Sequence, residues 1–418
     1  MAEFEVEIVT PAFPGHAIDL KSAPDLRDSA FEGVRPTSIV YGLRWWFRAF
    51  AGAYWGTSDD AIQAIRNAEG LLFGAAHEVT YPGDEKPKTG YASPVRVAVT
   101  KNVNLGKCLP FEGNDVYLRY LAYGLYPTKL TEGWSRKFVP PGEKFTFEIR
   151  VLKRQAEACP TSTRLAEELA KTWIAFGGLG ARWRHGLGGM RAADPAKRPK
   201  GANPAQAAGE QLKVARKLVE NYLNWVDPNR PAALIQDPPE FPVASERYLR
   251  LGWSQGGRDW EDALKKVHAL WRSTRLKMPN NARSSSRNSG LYAQFLRGED
   301  VAGSEAAFAG LGLPIPFGFP KGGPGIKPNS TGSLTAAPTK GNENKIERRP
   351  SPIWFRVMET QSGNFGLLAL VWRSRFLPED AEVVLRLSGV SGQDQPVQAD
   401  YGEAEQWIKE AGRQFQWV

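Results

Sequence analysis

Apolar residues change period several times along this chain, and each change marks an element. Phe4, Val6 and Ile8 alternate with Glu3, Glu5 and Glu7, the period of two that half-buries a strand. After a polar loop, Ile39, Leu43, Trp46, Phe47 and Phe50 recur at helical spacing and form one face of a helix. Thr37 or Ser38 is placed to cap its start, and Gly52 lies where it should end. Arg44 and Arg48 share a second face.

Alternation returns at Val95, Val97 and Val99, and again at Phe145, Phe147, Ile149 and Val151. These predict two strands separated by a Tyr- and Gly-rich insertion. A helix is expected over about Thr163–Phe176, with Leu165, Leu169 and Trp173 on its buried stripe and Gly177 just past its end. The stretch GGLGARWRHGLGGM, Gly177–Met190, follows, with a strand at its far side. The resulting order is β-α-β-β-α-β, the ferredoxin-like or RRM-type plan.

Asp194–Gly209 reads as a linker, Gln211–Trp225 as a helix and Asp227–Pro242 as a Pro-rich crossing. Tyr248–Trp253 predicts a strand and Trp260–Ser273 a helix with Leu264, Val267, His268 and Trp271 on one side. Ser273–Arg297 is basic and polar, and Pro320–Asn344 is Gly/Pro/Ser-rich with few large apolar residues, so it is expected to be mobile. Ile353–Met358 and Leu367–Phe376 predict a hairpin turning at Ser362-Gly363-Asn364, and Glu403–Gly412 a short helix. The expected class is therefore α+β: two ferredoxin-like (RRM-type) domains in tandem, 1–200 and 211–418. The second is the more degenerate and carries the insertion at about 320–344.

Composition narrows the function. A length of 418 residues exceeds one ordinary core, and 42% hydrophobic with 24% charged residues describes a globular chain. No apolar run approaches the roughly 20 residues that span a bilayer, and no leader-like apolar stretch opens the chain, so a cytoplasmic protein without membrane contact is expected. Cys108 and Cys159 are too few for a disulfide framework and lack metal-ligand spacing. The net charge of +9 is modest and argues for a localised basic surface. Several of the 14 tryptophans adjoin arginine, as in Arg44-Trp45-Trp46 and Arg182-Trp183-Arg184. That pairing suits base stacking and equally suits the rim of a core.

The glycine loop offers backbone amides, arginine cations and an indole face, which fits a single-stranded phosphodiester with unstacked bases. A ligand-free tight turn uses the same glycines. It is no dinucleotide fingerprint: Trp183 occupies the third glycine position, and the loop follows a helix. Of the four histidines, only His185 sits where acid–base work on a phosphodiester is conceivable, with backbone contact as its plainer role. His16 has no distinguishing setting, His77 lies in a loop and His268 on an apolar stripe. Asp25 and Asp28 suit either metal-assisted cleavage or a solvated acidic loop, and Arg348 and Arg349 either a phosphate clamp or gatekeeper charges before a strand. No metal and no cofactor is implied.

The stretch Arg35-Pro36-Thr37-Ser38-Ile39 through Leu43-Arg44-Trp45-Trp46-Phe47-Arg48-Ala49 resembles the first helix of the RAMP superfamily of CRISPR proteins. Within that superfamily it is most similar to the first-numbered RAMP subunit of type III-B (Cmr) effector complexes. The glycine loop and the segment RRPSPIWFRV extend the resemblance, which is strong to about Gly189, weak over Gln211–Phe319 and moderate over Arg348–Phe376. It implies a non-catalytic subunit that contacts guide RNA in its 3′ region and target RNA, beside the other subunits of the complex. Carried onto this chain, the RNA-contacting positions are Arg44, Trp45, Arg48, Gly178, Gly180, Arg182, Arg184 and His185, to which the residues themselves add Arg348 and Arg349. A metal-independent RAMP endoribonuclease that processes precursor guide RNA through His185 is the alternative, and a general RNA-binding protein outside CRISPR a third reading.

Overall fold

The computed structural model describes residues 1–15, 31–126, 136–198, 204–277, 291–304, 306, 315–319, 325–338, 351–359, 363–375, 377, 381–387, 394–398 and 411–418. His16, Asp25, Asp28, Arg348, Arg349 and nearly all of the expected helix Glu403–Gly412 lie outside them.

The chain opens with β1 (Ala2–Ile8) and then α1 (Pro36–Trp55), α2 (Asp59–Phe73), β2 (Ala75–Val79), β3 (Lys88–Tyr91) and β4 (Val95–Lys101). An insertion carrying α3 (Val116–Leu121) leads to β5 (Lys144–Val151), α4 (Lys153–Ala158), α5 (Thr161–Phe176) and β6 (Met190–Ala192). β4, β5, β1 and β6 form one antiparallel sheet in that order, with Phe4 opposite Phe147 and Val97 opposite Ile149. By position in the chain, its strands run second, third, first, fourth. The period of two does its work here: Val6, Ile8, Phe145, Phe147 and Ile149 are buried in the same core as Ile39, Leu43 and Trp46 of α1 and Leu165, Leu169 and Trp173 of α5.

Next come α6 (Pro204–Val226), β7 (Leu249–Gly257), α7 (Trp260–Lys277), α8 (Leu291–Leu296), β8 (Ile315–Phe319), β9 (Ser330–Pro338), β10 (Ile353–Glu359), β11 (Phe365–Trp372), β12 (Ala381–Leu387), β13 (Gln395–Val397) and β14 (Gln416–Trp417). A second sheet has the order β10-β11-β7-β14, again second, third, first, fourth among its own strands. A third has the order β13-β12-β9-β8. The fold is thus mixed α/β with antiparallel sheets. One compact unit comprises Met1–His268, Trp354–Trp372 and Gln416–Val418, and so holds the first two sheets apart from Ile353. The other, Ala269–Ile353 with Arg373–Phe415, holds the third.

Several boundaries differ from expectation, each for a local reason. α1 starts one residue before Thr37: Arg35 is its extended N-cap (φ −107°, ψ 143°) and Pro36, with φ already set and no N–H to satisfy, takes the first helical position. The helix runs through Gly52 to Gly56, whose φ of 86° ends it. α2 was not anticipated, although Ser58 caps it and Ala61, Ile65, Ala68 and Leu72 line its buried side. The linker at Asp194–Gly209 gives way to helix at Pro204, where Ala205, Ala208 and Leu212 begin a buried stripe. Within the stretch expected to be mobile, β9 pairs along its length with β12, and Leu334 and Ala336 are buried.

Candidate nucleic-acid interface

A cleft of about 340 Å³ opens between the first turns of α1 and the glycine loop. Arg35, Thr37, Ser38, Tyr41 and Trp45 line one side, and Gly178, Gly180 and Trp183 the other. Gly42 permits the geometry: a Cβ there would fall onto the Trp173 indole, so only glycine lets α5 approach α1 and close the floor.

The α1 end of the cleft is electropositive by construction. The first turn of α1 contains no acidic residue, and no side chain caps it. Among the described residues the Thr37 amide and both hydroxyls, of Thr37 and Ser38, take no partner, and Arg35 forms no ion pair, its buried Nε lacking a hydrogen bond. A helix N-terminus with open amides carries a partial positive charge and accepts phosphate. The glycine side adds the amides of Gly178 and Gly180, likewise unpaired among the described residues. Tyr41 is 64% exposed and presents a ring to the same space.

The glycine loop is held to the chain segment after β1. Val9 N–H donates to the Gly189 carbonyl at 2.7 Å, Gly188 N–H to Pro11 at 2.8 Å and Ala181 N–H to Phe13 at 2.8 Å. Thr10 Oγ1 accepts from Gly189 N–H and donates to the Gly186 carbonyl. At Gly180 (φ 85°) a Cβ would strike the Phe13 carbonyl, so the residue is glycine for both conformation and space.

Three of the positions singled out in sequence, Trp45, Gly178 and Gly180, line the cleft. The other described positions lie elsewhere. Arg44 donates to Glu69 at 2.8 Å and to the carbonyls of Phe73 and Gly74 at 2.6 Å each, which caps the C-terminus of α2. Arg48 pairs with the other Glu69 oxygen at 3.5 Å. Arg182 has φ 61° and donates to the Tyr123 carbonyl. The Arg184 guanidinium lies over Trp354 and Trp183, 4.9 and 5.5 Å from their ring centroids. His185 bridges to Phe355, away from the cleft lining. Among the described residues no group of His, Cys, Asp and Glu is arranged to hold a metal ion.

Sequence reasoning passed over Arg35 as a site residue, and Tyr41, which is off the apolar stripe. The signal was present: proline at the first helical position with no acidic residue behind it marks an uncapped, anion-accepting helix start. It also passed over Arg356, a charge inside the apolar run IWFRVM. Arg356 is fully buried, and that burial pushes its pKa down to about 9. No helix among the described residues is long and apolar enough to cross a membrane.

Residues 5–191 match the RAMP superfamily. Over 194 residues, 45% of its length, the chain is 28% identical to the CRISPR system Cmr subunit Cmr1-1 of Pyrococcus furiosus, and the match covers 46% of that protein. The matched stretch thus spans about half of that relative's length. Cmr1-2 of the same organism is 27% identical over 198 residues, which is 46% of this chain and 94% of Cmr1-2. The crystal structure of apo Cmr1 from P. furiosus aligns with 100% of this chain and 97% of its own, with a TM-score of 0.53 and 18% identity, a likeness of fold. The stretch that builds the first sheet, α1 and the glycine loop therefore matches the RAMP superfamily and is similar to the Cmr1 subunits of CRISPR systems.

Proposed function

We propose that this chain is a non-catalytic RNA-binding subunit of a type III-B CRISPR (Cmr) effector complex, acting in the cytoplasm and gripping guide RNA in its 3′ region, target RNA, or both. In this reading both sheets ordered second, third, first, fourth belong to ferredoxin-like RAMP domains in tandem, covering 1–200 and 211–418. The observation that carries the reading is the cleft between α1 and the glycine loop. It pairs an open helix N-terminus and Arg35 with the rings of Tyr41, Trp45 and Trp183. Amides and a cation hold phosphate, and rings stack on any base. A subunit that must accept every guide sequence needs that combination. The relatives' names as Cmr subunits support the assembly.

The test is fluorescence anisotropy of the purified chain with a labelled single-stranded RNA of arbitrary sequence, titrated across salt. Arg35→Ala should lower the slope of log affinity against log salt by about 0.7, the value for one fewer phosphate neutralised on a single strand. Tyr41→Ala should weaken binding by roughly 1–3 kcal/mol with the slope unchanged, as removal of one stacked base does. RNA incubated with the protein in EDTA should remain intact. Affinity indifferent to both substitutions would remove the cleft from the RNA path, and cleavage abolished by His185→Ala would replace binding with catalysis.

A further inference from the structure

Three consecutive residues of β10 grip the glycine loop at its ends and its middle. Arg356 Nη2 donates to the Ile174 carbonyl at 3.1 Å and to the Met190 carbonyl at 3.2 Å, while Nε donates to the Ala175 carbonyl at 3.3 Å. Ile174 and Ala175 close α5 just before the loop, and Met190 opens β6 just after it. One guanidinium therefore ties the entry of the loop to its exit. It also supplies donors to the last carbonyls of α5, which the helix itself leaves unsatisfied and which favour a cation. Phe355 N–H holds the middle of the loop, donating to the Arg184 carbonyl at 2.9 Å. Trp354 packs edge-on against Trp183 at 4.8 Å and lies 4.9 Å from the Trp45 ring, so it touches residues on both walls of the cleft.

A fully buried cation without a carboxylate partner costs free energy that an apolar residue of the same size avoids. Its position accounts for its presence: the carbonyls it holds are those that set where the loop begins and ends. We propose that Trp354, Phe355 and Arg356 are positioning residues of the RNA-binding cleft, and that Arg356 fixes the glycine loop opposite the N-terminus of α1. The second sheet, far along the chain, thereby sets the binding geometry of a cleft lined from within residues 35–46, 173 and 177–183. The proposal rests on the cleft being an RNA site.

The experiment pairs hydrogen–deuterium exchange with RNA anisotropy on the full chain. In Arg356→Met, peptides covering 177–190 should lose protection while those covering β1 and β5 keep it, and RNA affinity should fall about tenfold or more, since a loop displaced by about an ångström forfeits much of its binding energy. Arg356→Lys, which keeps a donor and the charge, should recover part of both. Affinity equal to wild type, with or without loop protection, overturns the proposal, as does unchanged loop protection. Should Arg356→Met lose protection throughout, Trp354→Leu decides by the same two readouts, because it loosens the loop without stranding the carbonyls that Arg356 holds. Failure of the RNA reading has a separate signature: the wild-type chain itself then leaves anisotropy unchanged, and the link from this clamp to RNA falls with it.

Discussion

Arg44 and Glu69 form an ion pair at 2.8 Å that joins α1 to α2, and the Glu69 residue is only 5% exposed. The same guanidinium donates to the carbonyls of Phe73 and Gly74, where α2 ends. Its donors are committed to the fold. Arg44→Ala should therefore destabilise the protein by about 2–3 kcal/mol, since it strands a buried carboxylate and two carbonyls. Arg48 meets the same carboxylate at 3.5 Å with its side chain 41% exposed, so Arg48→Ala should stay within about 0.5 kcal/mol. Urea denaturation of the two variants checks the contrast. Equal effects would mean that Glu69 is held by Arg48.

The pair also shows what the sequence could and could not reveal. The spacing of Arg44 and Arg48 correctly put both on one helical face, but what that face meets is α2, whose own periodicity went unread. The first sheet was legible because its strands alternate and both of its helices carry long apolar stripes. The cleft was half legible. Trp45, Gly178 and Gly180 stood out as residue types, whereas Arg35 and Tyr41 become site residues only once α5 is folded against α1 at Gly42. Arg356 was hidden for another reason: its partners are backbone carbonyls more than 160 residues away, and carbonyls have no sequence signature.

Glycine at position 180 is predicted to be irreplaceable where Gly142 is not. Both have left-handed φ, 85° and 88°. Around Gly142 a Cβ meets nothing within 4 Å, so Gly142→Ala should cost only the strain of the conformation, about 1–2 kcal/mol. At Gly180 the Cβ also collides with the Phe13 carbonyl, and backbone cannot yield as a flexible side chain does. Gly180→Ala should cost about 3 kcal/mol or more. Thermal melts of both variants measure the difference, and similar losses would show that the loop can move off the segment after β1.

Glu143 predicts a stability loss in acid. Its Oε1 accepts from Lys107 Nζ at 2.8 Å and its Oε2 from the Asn104 amide at 3.1 Å, and the Lys107 bond foremost holds its pKa below the ordinary carboxylate value of 4.5. Because the folded pKa is the lower one, the contribution is fully present above 4.5 and is lost as pH falls toward the folded value. Glu143→Gln should therefore lower stability at pH 7 and flatten its fall below pH 4.5 relative to wild type. Parallel stability curves for the two proteins across acid pH would refute the linkage.

Neither cysteine should react in the folded chain. Cys108 and Cys159 are 4% and 2% exposed, and burial raises both thiol pKa values, that of Cys108 to about 11 against an ordinary 9.0. The nucleophile is the thiolate, and an upward shift of this size lowers its fraction at pH 8 by roughly a hundredfold. Iodoacetamide at pH 8 should leave native protein unmodified over a time in which protein in guanidinium chloride gains two adducts by mass spectrometry. The two sites report on different elements: Cys108 lies in the insertion between β4 and β5, and Cys159 between α4 and α5. A single adduct on Cys108 under native conditions would mean that this insertion opens while the core at Cys159 stays closed. Fast modification of both would mean that the first sheet and its helices are not packed as described.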